Sequence, residues 1–113
     1  MSRHAGLHAW MLQRLSALYL AMYSIYLLLH FARQGPTDYQ AWQSWVATPA
    51  IGISAALFFL ALLLHAWVGL RDILMDYVHT LALRLSLTAL LLLGLVACGL
   101  WALRILWQAG YAG

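Results

Sequence analysis

The segment LLLHAWVGLRDILMDYVHTLALR, Leu62–Arg84, determines how this chain can fold. It begins as the end of a long apolar run and then carries two of the chain's three acidic residues, Asp72 and Asp76. His65 lies inside the apolar run, and Tyr77 follows the second aspartate. Ionisable side chains are costly inside a membrane and usually have a function there. The segment therefore predicts a helix that leaves a membrane next to several chemically useful side chains.

The composition argues against a soluble domain. Of the 113 residues, 65% are hydrophobic and 8% are charged, whereas a soluble domain carries about 25% charged residues. The net charge of +3 comes from six arginines and three aspartates, which are too few and too scattered to bind nucleic acid. The single cysteine, Cys98, excludes a disulfide or a cysteine-cluster metal site within the chain. We therefore expect an integral membrane protein with no nucleic-acid partner.

Charged residues divide the sequence into three apolar segments, which we predict as spans over approximately residues 13–32, 49–70 and 84–107. Each is close to the roughly 20 residues that cross about 30 Å of hydrocarbon. Each must be helical, because lipid satisfies no backbone hydrogen bonds. Pro49 suits the first turn of the second helix, and Thr48 before it can serve as the N-cap. The prediction is an all-α membrane protein, one domain comprising residues 1–113, whose three transmembrane helices join a multi-subunit bundle.

The two linkers differ in composition. The first, Arg33–Thr48, contains glycine and proline, and its Trp42 and Trp45 fit the aromatic belt at a membrane surface. The second, Arg71–Leu83, has neither glycine nor proline and is predicted to be largely helical. Serines within the spans, such as Ser16, are expected to bond to carbonyls of their own helices.

The distribution of arginine predicts the orientation. With three spans, the N-terminus and the second linker lie on the same side, and this side holds four of the six arginines. The positive-inside rule then places the N-terminus in the cytoplasm and the C-terminus in the periplasm. No removable leader is evident before the first span, and we expect a bacterial inner membrane protein. The four arginines are Arg3, Arg14, Arg71 and Arg84; the other two are Arg33 and Arg104.

His65 lies about six residues before the inner end of the second span, which corresponds to a depth of roughly 9 Å. Its imidazole can ligate haem iron, relay a proton or hydrogen-bond to a neighbouring helix. His30 lies near the outer end of the first span, so the two depths differ by more than about 10 Å. One iron cannot bind both rings. If His65 binds haem, the second axial ligand is expected to come from another subunit.

Arg14 and His8 lie near the inner start of the first span, at the depth where the propionates of such a haem would emerge. Arginine is well suited to bidentate contacts with a carboxylate. The alternative is that Arg14 only anchors the helix by extending to the lipid headgroups.

On a continuous helix, His65, Asp72 and Asp76 fall within roughly 20° of one line. A tyrosine hydroxyl such as that of Tyr77 can donate to a quinone carbonyl, and a nearby carboxylate can orient it or relay protons. The simpler alternative makes Tyr77 a residue of the aromatic belt and pairs Asp72 with Arg71 in a solvated linker.

The motifs in this region resemble a known family. Three short motifs follow one another here: His65–Gly69 (HAWVG), Asp76–Tyr77 and Leu81–Leu85 (LALRL). Together they resemble the smaller cytochrome b membrane anchor of succinate dehydrogenase, respiratory complex II. The pattern looks like the proteobacterial form. The start of the first span, with His8 and Arg14 six residues apart, also resembles that form. The likeness extends over nearly the whole chain.

The resemblance implies a role for each of these residues. His65 would be one axial ligand of the iron of haem b, Arg14 and His8 would lie at the propionates, and Tyr77, supported by Asp76, would contact ubiquinone. The partners would be a flavoprotein subunit, an iron–sulfur subunit and a companion cytochrome b subunit. In the tricarboxylic acid cycle and the aerobic respiratory chain, the first two oxidise succinate and pass electrons to the quinone. The chain itself would be a non-catalytic anchor.

Three other functions stay open. A fumarate reductase anchor would keep the haem and the quinone but reverse the electron flow. A cofactor-free structural anchor would use His65 only for packing. A small transporter subunit would use His65 as a proton relay.

Overall fold

The computed structural model describes residues 3–34 and 38–112, which form four helices. Three of the helices are long and apolar enough to cross a membrane. This confirms the prediction of an all-α membrane protein with three transmembrane helices. The helices are α1 (Arg3–Gln34), α2 (Tyr39–Ala47), α3 (Pro49–Tyr77) and α4 (Leu81–Ala112).

The second linker is almost entirely helical, as its lack of glycine and proline predicted. The helix α3 continues to Tyr77, and α4 begins at Leu81, so Asp72 and Asp76 lie on the same helix as His65. The short turn between the helices is closed by Arg84, whose Nε donates to the carbonyl oxygen of Val78 at 3.0 Å. All three long helices extend beyond the predicted spans, and the borders of those spans within the lipid stay a prediction.

The helix α2 was not predicted, because Gly35 and Pro36 and the tryptophans favoured an irregular linker at the membrane surface. The signal that could have indicated it is Asp38, a residue type preferred at the N-cap. Its carboxylate accepts a hydrogen bond from the backbone N–H of Ala41 at 2.8 Å. This bond satisfies one of the N–H groups that a helix start leaves without a partner.

Pro49 occupies the first turn of α3 as predicted, and Thr48 is its N-cap by backbone position. The prediction of Thr48 as the N-cap is therefore confirmed. Its side chain makes no capping hydrogen bond; the hydroxyl donates to the carbonyl oxygen of Ser44 at 3.3 Å, one turn back in α2.

The helix α3 is central: it packs against α1 on one side and against α4 on the other. Within residues 3–34 and 38–112, α1 and α4 do not contact each other, so α3 is the helix that joins them. Few of the described apolar side chains are buried, namely Tyr23, Val46, Val68 and Ala109. An apolar groove of about 500 Å³ between α3 and α4 also stays open. Most of the apolar surface is therefore left for lipid and for helices of other chains.

Hydrogen bonds connect α1 to α3 along their length. The hydroxyl of Tyr19 donates to the backbone carbonyl of Ser54 at 2.7 Å. Ser54 Oγ lies 3.0 Å from Ile51 O, to which it can donate, and shares a hydrogen bond with the Tyr23 hydroxyl, 2.9 Å away. In lipid, where the hydrophobic effect does not drive helices together, such contacts contribute directly to their association.

We expect the Ser54→Ala substitution to weaken the packing of α1 on α3, because the Tyr23 hydroxyl loses its hydrogen-bond partner. The loss should be about 0.6 kcal/mol, the average measured for hydrogen bonds between membrane helices, and at most about 1.7 kcal/mol. It is measurable as a lower thermal unfolding midpoint of the purified protein in detergent. Ser86→Ala is the matched control, since Ser86 is exposed and bonds only to Ala82 O in its own helix. Equal effects of the two substitutions would contradict this assignment.

Candidate functional site

His65 lies half-buried where α1 crosses α3. Its Nδ1 is 3.2 Å from the Oγ of Ser16, which is 6% exposed. The Ser16 hydroxyl lies 3.1 Å from the carbonyl oxygen of Gln13, to which it can donate. When it does, its oxygen accepts from His65 and the imidazole carries its proton on Nδ1. In this arrangement the lone pair of the ring lies on Nε2.

Nε2 of His65 has no hydrogen-bond partner among the residues that the structure describes. The same part of the chain contains no group of three or more histidine, cysteine, aspartate or glutamate side chains that could hold a metal ion. A single free imidazole nitrogen suits a metal that brings most of its ligands with it, as in a haem. The residues at His65 therefore fit such a group and do not fit a bare ion held by this chain alone.

His30 and His65 are not brought together, in agreement with the depth argument. The His30 ring stacks on Trp45 of α2, with centroids 4.1 Å apart and planes 9° from parallel. Trp45 lies just before α3 begins at Pro49, whereas His65 lies about 24 Å further along α3 at helical rise. His30 is thus part of an aromatic cluster at the opposite end of the molecule.

Arg14 and His8 are both exposed on α1. Arg14 lies two residues before Ser16, in the turn of α1 that holds His65, and its guanidinium lies 5.2 Å from the centre of the Trp10 ring. His8 lies six residues further toward the N-terminus on the same helix. Neither side chain contacts His65 within the described part of the chain, so both are accessible to an anionic group that enters from outside.

The three residues at the end of α3 have different surroundings. Asp72 forms an ion pair with Arg71 at 3.5 Å, and both side chains are substantially exposed. Asp76 is exposed, and Tyr77, the last residue of α3, is 77% exposed. Among the described residues, Asp76 has no ion-pair partner and no hydrogen bond joins it to Tyr77. The alternative of a solvated pair with Arg71 thus accounts for Asp72, whereas Asp76 and Tyr77 are exposed and accessible.

Sequence reasoning did not identify two features of this site. It assigned Ser16 only a bond to its own helix, which exists, but not the contact with His65.

It also gave no role to Gln13, whose Nε2 would be 3.5 Å from a Cβ placed on Gly69. Gln13 Oε1 and Arg71 Nε are buried without a hydrogen-bond partner in the described part of the chain, which is uncommon for polar atoms. The signal that could have indicated Gln13 is Gly69, because a glycine in a helix can mark the close approach of another element.

Comparison with known proteins identifies the family. The chain matches the family model for the succinate dehydrogenase/fumarate reductase transmembrane subunit over residues 1–101. It is 31% identical over 104 residues to the succinate dehydrogenase hydrophobic membrane anchor subunit of Coxiella burnetii (strain RSA 493 / Nine Mile phase I), which covers 92% of this chain and 90% of that protein. The fold and these matches together define a multi-pass membrane anchor. The chain belongs to the succinate dehydrogenase/fumarate reductase transmembrane subunits, and it works with the other subunits of such a complex.

We expect substitutions at Gly69 to separate according to size. Gly69→Ala should be tolerated, because its Cβ would make only ordinary contact with Gln13. Gly69→Leu should push α1 away from α3 and lower the stability of the complex by about 1–3 kcal/mol, the usual cost of overpacking. The measurement is the midpoint of thermal dissociation of the complex in detergent. If the leucine variant is as stable as the alanine variant, α1 does not pack closely on α3 at this position.

Proposed function

We propose that this chain is the membrane anchor of a succinate dehydrogenase, a succinate:quinone oxidoreductase. In this proposal it binds haem b together with a companion cytochrome b subunit and contributes to the site of ubiquinone reduction. The observation that carries the proposal is the state of His65, a half-buried imidazole with Nδ1 held by Ser16 and Nε2 free. The relative from Coxiella burnetii, which is a succinate dehydrogenase anchor by name, supports this choice over a fumarate reductase anchor.

His65 has the features of an axial haem ligand. A histidine that binds a metal through one nitrogen almost always donates the other N–H to a fixed acceptor, and Ser16 Oγ is that acceptor here. The second ligand would come from the companion subunit, since His30 is engaged with Trp45 at the other end. When bound, haem b supplies a one-electron carrier near the quinone site. The exposed side chains of Arg14 and His8 would hold its propionates, with arginine forming the stronger, bidentate contact.

Tyr77 and Asp76 are the residues proposed for the quinone. Both are exposed at the end of α3, where a pocket shared with the iron–sulfur and companion subunits would enclose them. The tyrosine hydroxyl would donate to a quinone carbonyl and orient the ring. The carboxylate of Asp76 would accept and pass on protons from the aqueous side as the quinone is reduced. Asp72 is less suited to this role because Arg71 already pairs with it.

The remaining parts of the proposal concern partners and location. Since most of the large apolar side chains of the long helices are exposed, they stay available to lipid and to the companion cytochrome subunit. The flavoprotein and iron–sulfur subunits would bind at the inner end, where Tyr77 lies. The excess of arginine on that side supports a cytoplasmic N-terminus in a bacterial inner membrane. In this position the complex would connect the tricarboxylic acid cycle to the aerobic respiratory chain.

We expect His65→Ala to abolish or strongly alter the b-type absorption of the purified complex in the Soret region, because the iron loses one axial nitrogen. His30→Ala is the matched control and should leave the spectrum unchanged, since that ring belongs to the aromatic cluster with Trp45. An unchanged spectrum in the His65 variant would contradict haem ligation and would leave a proton relay as the better explanation. A complex with no b-type absorption at all would indicate a structural anchor.

We expect Tyr77→Phe to lower ubiquinone reduction roughly tenfold, the effect of losing one well-placed hydrogen bond. Succinate oxidation by an artificial dye that accepts electrons before the quinone should be intact, because the hydroxyl does not touch the succinate site. Tyr39→Phe, at an exposed tyrosine on α2, is the matched control. Equal quinone reduction by both variants would show that Tyr77 is only a residue of the aromatic belt.

A further inference from the structure

We infer that Ser16 is a positioning residue for the metal centre: through Nδ1 of His65 it fixes the ring and lowers the reduction potential of the bound haem. This inference rests on the proposed function, because it requires that His65 ligate the iron. It goes beyond that proposal by assigning a role to a residue on a different helix, α1, from which no role was proposed for the His65 ring.

The contacts of Ser16 suit an acceptor role toward the ring. Its hydroxyl donates to Gln13 O at 3.1 Å, and Nδ1 of His65 lies 3.2 Å from its oxygen, which in this inference accepts the Nδ1 proton. At 6% exposure, little room is left for water to replace it. Ser16 therefore holds the tautomer in which Nε2 carries the lone pair, and it resists rotation of the imidazole about its own axis.

The same bond changes the electronic character of the ligand. An acceptor at Nδ1–H draws the proton away from the ring and makes Nε2 more basic. A more basic nitrogen stabilises ferric iron more than ferrous iron, because ferric iron carries the higher positive charge. The reduction potential of the haem is consequently lower with the hydrogen bond than without it.

A purely structural role is the competing explanation, in which Ser16 only helps α1 pack on α3. The two explanations differ in what they change. Lost packing lowers the stability of the complex but does not favour one oxidation state of the iron. Loss of the acceptor shifts the reduction equilibrium in one direction, toward ferrous haem.

The experiment is a redox titration of haem absorbance in the intact complex, with Ser16→Ala, Ser16→Thr and Ser86→Ala compared with the original chain. Ser16→Ala should shift the reduction equilibrium toward ferrous haem by roughly two- to tenfold, the contribution of a single hydrogen bond. A tenfold shift of a one-electron couple corresponds to about 59 mV. Ser16→Thr keeps the hydroxyl and should restore the original potential. Ser86→Ala, which removes a hydroxyl that bonds only within α4, should leave the potential unchanged.

The outcomes separate this inference from the proposed function. If His65→Ala leaves the haem spectrum intact, the haem assignment fails and the role of Ser16 fails with it. If His65→Ala removes the spectrum but Ser16→Ala leaves the potential unchanged, only the inference about Ser16 is overturned. The same holds if Ser16→Thr shifts the potential as far as alanine does. If the alanine variant does not assemble, Ser16→Cys replaces it, because cysteine has a similar size but accepts hydrogen bonds only weakly. The haem in the Ser16→Cys complex must then also shift toward the ferrous state, or the inference is overturned.

Discussion

The structure depends on one constraint: a polar group in hydrocarbon must find its partner inside the protein. A backbone or side-chain group without a partner there costs several kcal/mol. The backbone meets this requirement by forming three long helices. The hydroxyls of Tyr19 and Tyr23 on α1 meet it by forming hydrogen bonds with Ser54 on α3. Among the described residues, only one of the two ring nitrogens of His65 has a hydrogen-bond partner, which is Ser16. The other nitrogen is the feature that turns a hydrophobic anchor into a candidate cofactor site.

The sparse packing of the helices explains why such an anchor needs partners. Because α1 and α4 contact α3 but not each other within the described residues, most of the large apolar side chains are exposed and few are buried in a core. The proposed haem ligand and the proposed quinone residues all belong to α3, the helix with the most neighbours inside the chain. A rigid central helix can hold His65 and Tyr77 in fixed positions relative to each other, while companion subunits complete the sites around them.

The fold was predictable from the sequence because it follows from local chemistry. The spacing of the arginines and aspartates, the position of Pro49 and the lack of glycine in the second linker determine the three long helices. The helix α2 was missed because its start depends on a single capping residue, Asp38, in a linker whose glycine and proline argued for irregular structure. The bond from the Thr48 hydroxyl to Ser44 was not predictable for the same reason, since its acceptor belongs to the unpredicted helix.

The candidate site was predictable only in part. The position of His65 in an apolar run identified it as chemically important, and its motif indicated a haem ligand. The sequence could not identify Ser16 as its partner, because the two residues are 49 positions apart and meet only through the rotation and crossing of two helices. Equally, residue order gives no measure of exposure, so the engagement of Asp72 by Arg71 and the accessibility of Tyr77 became clear only from the packed helices.

The most direct test of the central claim is an experimental structure of the assembled complex at a resolution that separates ring atoms. The account predicts haem iron at bonding distance from Nε2 of His65, Ser16 Oγ at Nδ1 of the same ring, and the second axial ligand contributed by a companion subunit. Iron bound entirely by other subunits, with His65 surrounded only by side chains or lipid, would contradict it.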